Sequence, residues 1–281
     1  MLNLKIISAQ AGGAINKTTA SGARITALDG LRGVLALFVV ACHADGFHGA
    51  DHFVLPAVAS VAIFFVLSGH VLTRAYDGRY LAFLVRRAVR LWPAYAVGML
   101  AGCVLLRQMP DGTQLFWLSW VPHFPADLMA IPDPPEWSMS IEASAMLFMP
   151  AIAWFGGTAW RALLIAPVWV ALSQLDWHFN WCGFFLIGAA LSRFSLRSEI
   201  LESRPAQWLG RVSYSLYVSH WVVIRAMAIA FGHYGALAGL PVSLAVAWVV
   251  WYFIEAPSIA LSRRLGRRAT RVVPAVVAVE A

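Results

Sequence analysis

The sequence predicts an all-α fold, a polytopic membrane protein built as a bundle of about eight transmembrane helices. Hydrophobic residues make up 60% of the 281 residues and charged residues only 12%, whereas soluble domains carry roughly 25% charge. Long apolar runs recur along the chain, and lysine and arginine lie beside them. A soluble enzyme needs long polar faces on its helices and strands. The composition therefore excludes a soluble globular protein.

The individual spans follow from the apolar runs, because a helix needs about 20 mostly apolar residues to cross a bilayer. Two of the runs, in 161–192, are separated only by the segment DWHFN, so a re-entrant hairpin is the alternative to two spans there. In chain order the predicted spans are 28–46, 55–73, 91–107, 138–156, 161–176, 178–192, 211–231 and 236–261.

The basic residues predict the orientation, since the cytoplasmic loops of membrane proteins are rich in lysine and arginine. With an even number of spans and a cytoplasmic N-terminus, the outer side keeps only Arg107. Both termini are then cytoplasmic: 1–25 is a poorly ordered tail, 26–262 is the membrane domain and 263–281 is a basic tail. The net charge of +7 thus reflects the membrane topology. We expect membrane lipids as partners and no nucleic-acid partner.

Arg32 and His43 are the first candidate site residues, because ionisable groups inside a span are costly and are functional candidates by default. The two residues are eleven positions apart in the first span, almost three whole turns, so their side chains share one face about 16 Å apart along the axis. The alternative is that Arg32 snorkels to the headgroups and His43 only caps the outer end of the helix.

The stretch CHADGFHGADH, residues 42–52, contains three histidines and two aspartates. A metal site is one interpretation, but the stretch forms no recognised ligand pattern, and its glycines predict that the helix frays there. We therefore expect no metal. His43 belongs to the membrane span, and the other four residues form a hydrated outer rim: Asp45, His48, Asp51 and His52.

Two further segments place polar side chains at or in the membrane. Ser68 and Gly69 form a small pair inside an apolar helix, where another helix or a ligand can approach closely. Arg87 and Arg90 share a helix face just before Leu91, and paired guanidinium groups bind phosphate oxygens well. Anchoring at the cytoplasmic boundary explains these arginines equally well.

The second half of the chain adds three more polar features. Glu142 lies about one turn inside the fourth span, where a carboxylate must be protonated or paired. Ser213, Tyr217 and His220 form a polar stripe on one face of the seventh span, a pattern that more often joins helices than builds a site. Glu255 lies near the inner boundary beside the terminal arginines, and we expect a structural, ion-pairing role for it.

Taken in order, these segments resemble the acyltransferase-3 family of integral membrane acyltransferases. The resemblance covers roughly residues 26–260, and six ordered motifs make it specific. Three departures are visible: the spans are fewer than is usual in the family, His70 stands where an aromatic is common, and Leu147-Phe148 replaces a more usual Phe-Tyr. The matching motifs are LDGLRGVLALFVVACH, FFVLSGHVLTR, RRAVRLWP, WSMSIE, GRVSYSLYVSH and YFIEAP.

The resemblance implies the transfer of an acyl group, commonly acetyl, from cytoplasmic acyl-CoA to a hydroxyl of a glycan or another extracytoplasmic or lipid-linked acceptor. It also implies a bacterial inner-membrane location. Arg32 and His43 match the family's essential pair. Arg87 and Arg90 match the arginines tied to donor handling, and Glu142 stands at the usual acidic position.

The mechanistic hypothesis makes His43 the base, since an imidazole titrates near neutrality and a sugar hydroxyl needs one. Glu142 or Asp45 would stabilise the imidazolium, and Arg87 and Arg90, with Ser68 and Arg32, would hold the CoA donor. A transient acyl-histidine is the competing chemistry. The alternative function is a transporter or flippase whose path is lined by Arg32, Glu142 and His43.

Overall fold

The computed structural model describes residues 5–8, 25–49, 52–107, 133–156, 158, 161, 171 and 177–271. Eight helices and two short strands make up the regular structure of these residues. Short 3-10 turns at Pro134–Glu136 and Leu191–Arg193 and a π-helix at Trp251–Glu255 complete it. The elements are β1 Lys5–Ser8, α1 Thr26–His48, α2 Val54–Ala75, α3 Tyr80–Leu105, α4 Trp137–Leu147, α5 Met149–Gly156, α6 Trp177–Ala190, β2 Phe194–Arg197, α7 Arg204–Val250 and α8 Ala256–Arg271.

The first three helices confirm three predicted spans. α1 covers the predicted run 28–46 and α2 covers the predicted run 55–73, and each helix is slightly longer than its run at both ends. α3 begins at Tyr80, well before the predicted start at Leu91, because arginine is a strong helix former even where hydropathy falls. Arg87 and Arg90 consequently lie inside a continuous helix that leads into the membrane.

α7 is one helix by hydrogen bonding but doubles back on itself at Gly232, where φ is 69° and ψ is −158°. Only glycine adopts such a conformation at little cost. A Cβ built on Gly239 would lie 3.0 Å from the Cα of Ile224, so residues 15 positions apart are in contact. The two arms, 204–231 and 233–250, therefore run antiparallel, in agreement with the separate spans predicted at 211–231 and 236–261.

The number of spans is not confirmed. Within the described part of the chain, four helical segments are long and apolar enough to cross a membrane, with Arg204–Gly266 counted as one, or five if α4 and α5 form one broken span. α4 and α5 meet at an angle of 73°, in place of the single span predicted at 138–156. Most of 161–176 lies outside the described residues, so the choice between two spans and a hairpin in 161–192 stays a prediction.

A two-stranded antiparallel ribbon corrects the all-α prediction. β1 pairs with β2 so that Lys5 lies opposite Arg197 and Ser8 opposite Phe194. β1 lies within the segment predicted to be a poorly ordered tail, and its sequence KIIS contains two β-branched residues, which favour strands. A partner 186 positions away along the chain is not visible to a pattern search of local sequence.

Close helix crossings hold the bundle together. Gly30 and Gly33 of α1 meet the backbone around Leu201 and Gly210, and Gly210 in turn meets the backbone of Asp29. Gly69 of α2 meets the backbone of α6 in the same manner. Small residues allow membrane helices this close approach. α1 is thereby fixed against α7, and α2 against α6.

The two ends of the bundle differ in charge. The arginine-rich end comprises the start of α1, the end of α2, the starts of α3 and α7, and residues 256–266. The opposite end holds the His48 end of α1, the start of α2 and the corner at Gly232. Arg225 lies about two turns before that corner, with its guanidinium 4.8 Å from the Trp221 ring centroid. The prediction that Arg107 is the only outward arginine therefore needs Arg225 added to it.

Candidate active site

A cavity of about 720 Å³ opens at the arginine-rich end. Its volume falls in the range of about 300–1,000 Å³ that is usual for ligand pockets. Its walls come from α1, α2, α3, α4, α7, α8 and the π-helix. Three carboxylates face six arginines across it, and this excess of cations suits a ligand with several negative charges. The charged lining residues are Asp29, Arg32, Arg74, Arg87, Arg90, Glu142, Arg211, Glu255 and Arg263.

Arg87 and Arg90 lie one turn apart on α3 and both line the cavity. Arg87 interacts electrostatically with Glu142, and Arg90 with Glu255 and Glu142. Within the described residues, no hydrogen bond to either guanidinium is formed, and the Nε of Arg90 is buried without a partner. Because a buried cation without a hydrogen-bonded partner is costly, this pair is suited to receive an anion.

Arg32 lines the same cavity and is held by Asp29, a neighbour on the same helix. Its Nη2 donates to Oδ1 of Asp29 at 2.7 Å, three positions earlier on α1. The i, i+3 spacing of an aspartate and an arginine in the segment LDGLR was the available signal. This ion pair fixes the direction in which Arg32 points.

Ser68 and Glu142 link α2 to α4 across the cavity wall. The Ser68 hydroxyl donates to Oε1 of Glu142 at 3.3 Å. The neighbouring Gly69 contacts α6 instead. Both predicted uses of this small pair are therefore present: Ser68 faces the cavity, and Gly69 allows a close helix crossing.

His43 lies half-buried on α1 and contacts a histidine of α7. The Nδ1 of His43 is 2.8 Å from the Nε2 of His220, and the two rings stack with centroids 5.0 Å apart. His220 is fully buried, and its Nδ1 lies 2.7 Å from the carbonyl oxygen of Tyr217 and 3.1 Å from that of Leu216. From the sequence, His220 was expected only to join helices.

The expected carboxylate partners of His43 are engaged elsewhere. Asp45 accepts hydrogen bonds from the backbone N–H of His52 at 2.6 Å and from its Nδ1 at 3.2 Å. Glu142 is bonded to Ser68. Within the part of the chain that the structure describes, neither carboxylate is hydrogen-bonded to His43, which contacts His220 instead. The hypothesis that Glu142 or Asp45 stabilises the imidazolium stays a prediction.

The histidine pair lies just beyond the cavity rather than in its lining. Tyr217 connects the two: it lines the cavity, and its ring centroid is 5.8 Å from that of His220. Its hydroxyl is 2.8 Å from the Ser138 hydroxyl, and both are within hydrogen-bonding distance of the Pro135 carbonyl. Five of the six predicted site residues thus line one cavity. The sixth, His43, lies outside the lining and contacts His220, whose ring packs near Tyr217.

The three histidines at residues 42–52 have different partners and do not form one site. His48 packs against His233 and Tyr234 with ring centroids 6.3 and 5.5 Å apart, and His52 bonds to Asp45. Among the described residues no group of three histidine, cysteine, aspartate or glutamate side chains is placed to hold a metal ion. Asp51 lies outside the described residues, and the expectation of no metal stays a prediction.

Two more buried carboxyl groups flank the site. Glu255 lies in the π-helix, lines the cavity, and accepts hydrogen bonds from the backbone N–H and hydroxyl of Ser215 at 3.2 and 2.6 Å. Two hydrogen-bond donors of Ser215 on α7 therefore supplement the ion-pairing role predicted for Glu255. Asp133, just outside α4, is fully buried, and burial raises its carboxyl pKa well above the usual value.

Residues 25–199, more than half of the chain, match the family described as an acyltransferase domain, acyltransferase-3. The chain belongs to the acyltransferase-3 family. A protein of Rhizobium radiobacter named "Protein 2 in picA locus" is 34% identical to it over 195 residues, which cover 64% of this chain and 87% of that protein. No solved structure matches the chain.

Membership of the acyltransferase-3 family confirms that the chain is an acyltransferase, and its long apolar helices make it a membrane protein that crosses the bilayer several times. The match favours acyl transfer over the transporter or flippase alternative. All six predicted site residues lie within the matched range. Tyr217, His220 and Glu255 lie beyond it, although the motifs GRVSYSLYVSH and YFIEAP, which resemble the family, contain them. Their place in the site rests on the geometry.

Proposed function

We propose that this acyltransferase takes an acyl group, most simply acetyl, from acyl-CoA and transfers it to a hydroxyl of a glycan or of another extracytoplasmic or lipid-linked acceptor. The observation that carries the proposal is the cavity at the arginine-rich end. Coenzyme A bears a diphosphate and a further phosphate on its ribose. Six arginines around one opening suit such a polyanion, because guanidinium groups pair with phosphate oxygens through two parallel hydrogen bonds.

The arrangement of charge suggests a direction for the donor. Arg87 and Arg90 bind the phosphates, and Arg32 and Ser68 extend the polar wall beside them. The long uncharged arm of the donor then points toward Tyr217 and the histidine pair. The thioester, at the end of that arm, is the part that has to meet His43.

His43 supplies the chemistry in this proposal. It accepts the proton of the acceptor hydroxyl while the oxygen attacks the acyl carbon, and the carbon–sulfur bond then breaks. The thiolate of CoA leaves and takes up the proton, so His43 returns to its starting state. The alternative chemistry, a transient acyl group on His43, requires the same unprotonated ring nitrogen.

The arginine-rich end faces the cytoplasm of a bacterial cell in this proposal, and the protein lies in the inner membrane with both termini inside. Acyl-CoA is a cytoplasmic metabolite, so the opening of the cavity faces the compartment that holds the donor. The histidine pair stands closer to the opposite end, where an extracytoplasmic acceptor arrives.

The test is acyl transfer by membranes that contain the protein, supplied with acetyl-CoA labelled in the acetyl group. We expect label in the glycan or lipid-linked fraction with the native protein, and none with His43→Ala inserted at an equal level. His48→Ala is the matched control, since His48 lies on the same helix and contacts His233 at the rim. Equal transfer by native protein and His43→Ala contradicts the role of His43, and no labelled product from the native protein contradicts the proposed function.

A further inference from the structure

The hydrogen bonds of His220 determine which of its ring nitrogens carries a hydrogen. Its Nδ1 faces the carbonyl oxygens of Tyr217 and Leu216 at 2.7 and 3.1 Å. Carbonyl oxygens only accept hydrogen bonds, so Nδ1 has to be the donor. In a neutral imidazole the other nitrogen is then an acceptor. The Nε2 of His220 therefore presents a lone pair.

The lone pair of His220 on α7 in turn determines the tautomer of His43 on α1. Among the residues that the structure describes, the side chain within hydrogen-bonding distance of that lone pair is His43, whose Nδ1 is 2.8 Å away. The nitrogen of His43 that faces an acceptor has to carry a hydrogen. The Nε2 of His43 is then the nitrogen without one.

We propose that His220 is a positioning residue that holds His43 in the Nδ1–H tautomer, so that its Nε2 is the nitrogen that acts on the acceptor hydroxyl. This inference rests on the proposed role of His43 and adds a residue outside the range that matches the family. It assigns to His220 the part that a carboxylate takes in many enzymes, with a carbonyl-anchored neutral imidazole in place of a charge.

The arrangement accounts for the proton during transfer. His43 Nε2 gains the hydroxyl proton, the acyl carbon–oxygen bond forms and the carbon–sulfur bond breaks. While His43 carries both hydrogens, its Nδ1–H continues to donate to His220. The Nε2 proton then goes to the departing thiolate. His220 keeps the hydrogen on its Nδ1 and donates it to the Tyr217 carbonyl oxygen throughout, so it neither gains nor loses a proton.

The fold supplies the rigidity that such a contact needs. Gly33 and Gly210 let the backbones of α1 and α7 cross closely near the arginine-rich end, and Ala44 of α1 packs in one buried cluster with Ile224 of α7 farther along the two helices. The contact between His43 and His220 lies between these two points. Helices that are held on both sides keep the two rings in register.

The first experiment measures the tautomer directly, without turnover. Nitrogen-15 NMR of histidine-labelled protein distinguishes a ring nitrogen that carries a hydrogen from one that does not, and comparison with His43→Gln assigns the His43 signals. We expect His43 in the native protein to carry its hydrogen on Nδ1. A hydrogen on Nε2 in the native protein overturns the inference, whatever the activity of the enzyme.

The second experiment uses two variants of His220, the residue that accepts the hydrogen bond from His43. His220→Phe keeps a ring but removes the lone pair, and we expect the His43 hydrogen to leave Nδ1 and kcat to fall about 10- to 100-fold, the usual cost of removing an orienting partner. The donor KM should not change. His220→Gln offers a carbonyl oxygen to His43 and should retain the Nδ1–H form and most of kcat.

His233→Phe is the matched control, because His233 also lies on α7 and contacts α1, at the Phe47 carbonyl. We expect it to leave the His43 signals and kcat unchanged. If His220→Phe does not fold, the native spectrum and His220→Gln decide. A folded His220→Gln that has lost the Nδ1–H form and kcat contradicts the inference, as does a His220→Phe that keeps both. Failure of the proposed function shows separately, as inactivity of the native protein with acetyl-CoA.

Discussion

Arg87 and Arg90 illustrate how a residue-scale argument changes once the fold is known. From the sequence, anchoring at the membrane boundary and phosphate binding explain the pair equally well. In the structure both guanidinium groups line a cavity in which arginines outnumber carboxylates two to one. A purely anchoring arginine points to lipid headgroups. The cavity therefore favours phosphate binding.

Replacing Arg87 with alanine should weaken donor binding more than it slows chemistry. A hydrogen bond to a charged group is worth about 1.5–3 kcal/mol, so the Kd for coenzyme A, measured by calorimetry on the purified protein, should rise about 10- to 100-fold, and the donor KM with it. Arg225→Ala is the control, since Arg225 stacks on Trp221 away from the cavity. An equal effect of the two substitutions leaves Arg87 with an anchoring role only.

His220 was recognised in the sequence as part of a polar stripe but was given no role in the site. Arg32, Ser68, Arg87, Arg90 and Glu142 were found because a charged or small polar residue within or beside an apolar run is unusual. His220 belonged to a polar stripe that fits helix packing equally well. Its partner His43 is 177 positions away, and only the fold shows that the two rings meet.

At the scale of elements, the crossing of α1 and α7 positions both the cavity and the histidine pair. It depends on glycine because a Cβ on Gly33 would lie 2.5 Å from the backbone nitrogen of Gly210. Gly46, on the same helix, has open space around the equivalent position. The two glycines form a natural pair for comparison.

Gly33→Ala should destabilise the protein by about 1–3 kcal/mol, the usual cost of overpacking, and should lower activity by separating α1 from α7. Gly46→Ala should have no effect or raise stability by up to about 1 kcal/mol, because alanine favours a helix over glycine. Thermal unfolding of the two variants in detergent is the measurement. A Gly33→Ala variant as stable as native would show that the crossing tolerates a methyl group.

Some elements were accessible to sequence reasoning and others were not. The corner at Gly232 was anticipated as a gap between two apolar runs, because hydropathy falls where a helix pair turns at the membrane surface. The 73° bend between α4 and α5 was not, since MLFMP is apolar on both sides of the break. Hydropathy measures the preference of a segment for lipid and carries no information on the direction of the helix axis.

At the scale of the whole molecule, the two ends differ in charge, and the predicted orientation places the arginine-rich end in the cytoplasm. The cavity opens at the arginine-rich end, and the histidine-containing rim lies at the other. Orientation therefore decides which compartment supplies the donor. Exposed positions exist at both ends for a direct measurement, at His52 and at Glu199.

A single cysteine at either position, in a variant that lacks Cys42, Cys103 and Cys182, should report the orientation. We expect a membrane-impermeant maleimide to label His52→Cys in intact cells, and Glu199→Cys only after lysis. Labelling of both after lysis is the control for accessibility. The reverse pattern in intact cells would place the arginine-rich end outside and remove the donor from reach of the cavity.

The ribbon between β1 and β2 has a consequence for how the chain is made. The first strand ends at Ser8 and its partner starts at Phe194, so ribosomes that add about 5–20 residues per second complete the second strand roughly 10–40 s after the first. During that interval the spans between the two strands enter the bilayer, while the leading segment stays on one side of it. The ribbon therefore forms late in synthesis. It forms only if the leading segment has stayed on the side of the membrane where Phe194–Arg197 emerges.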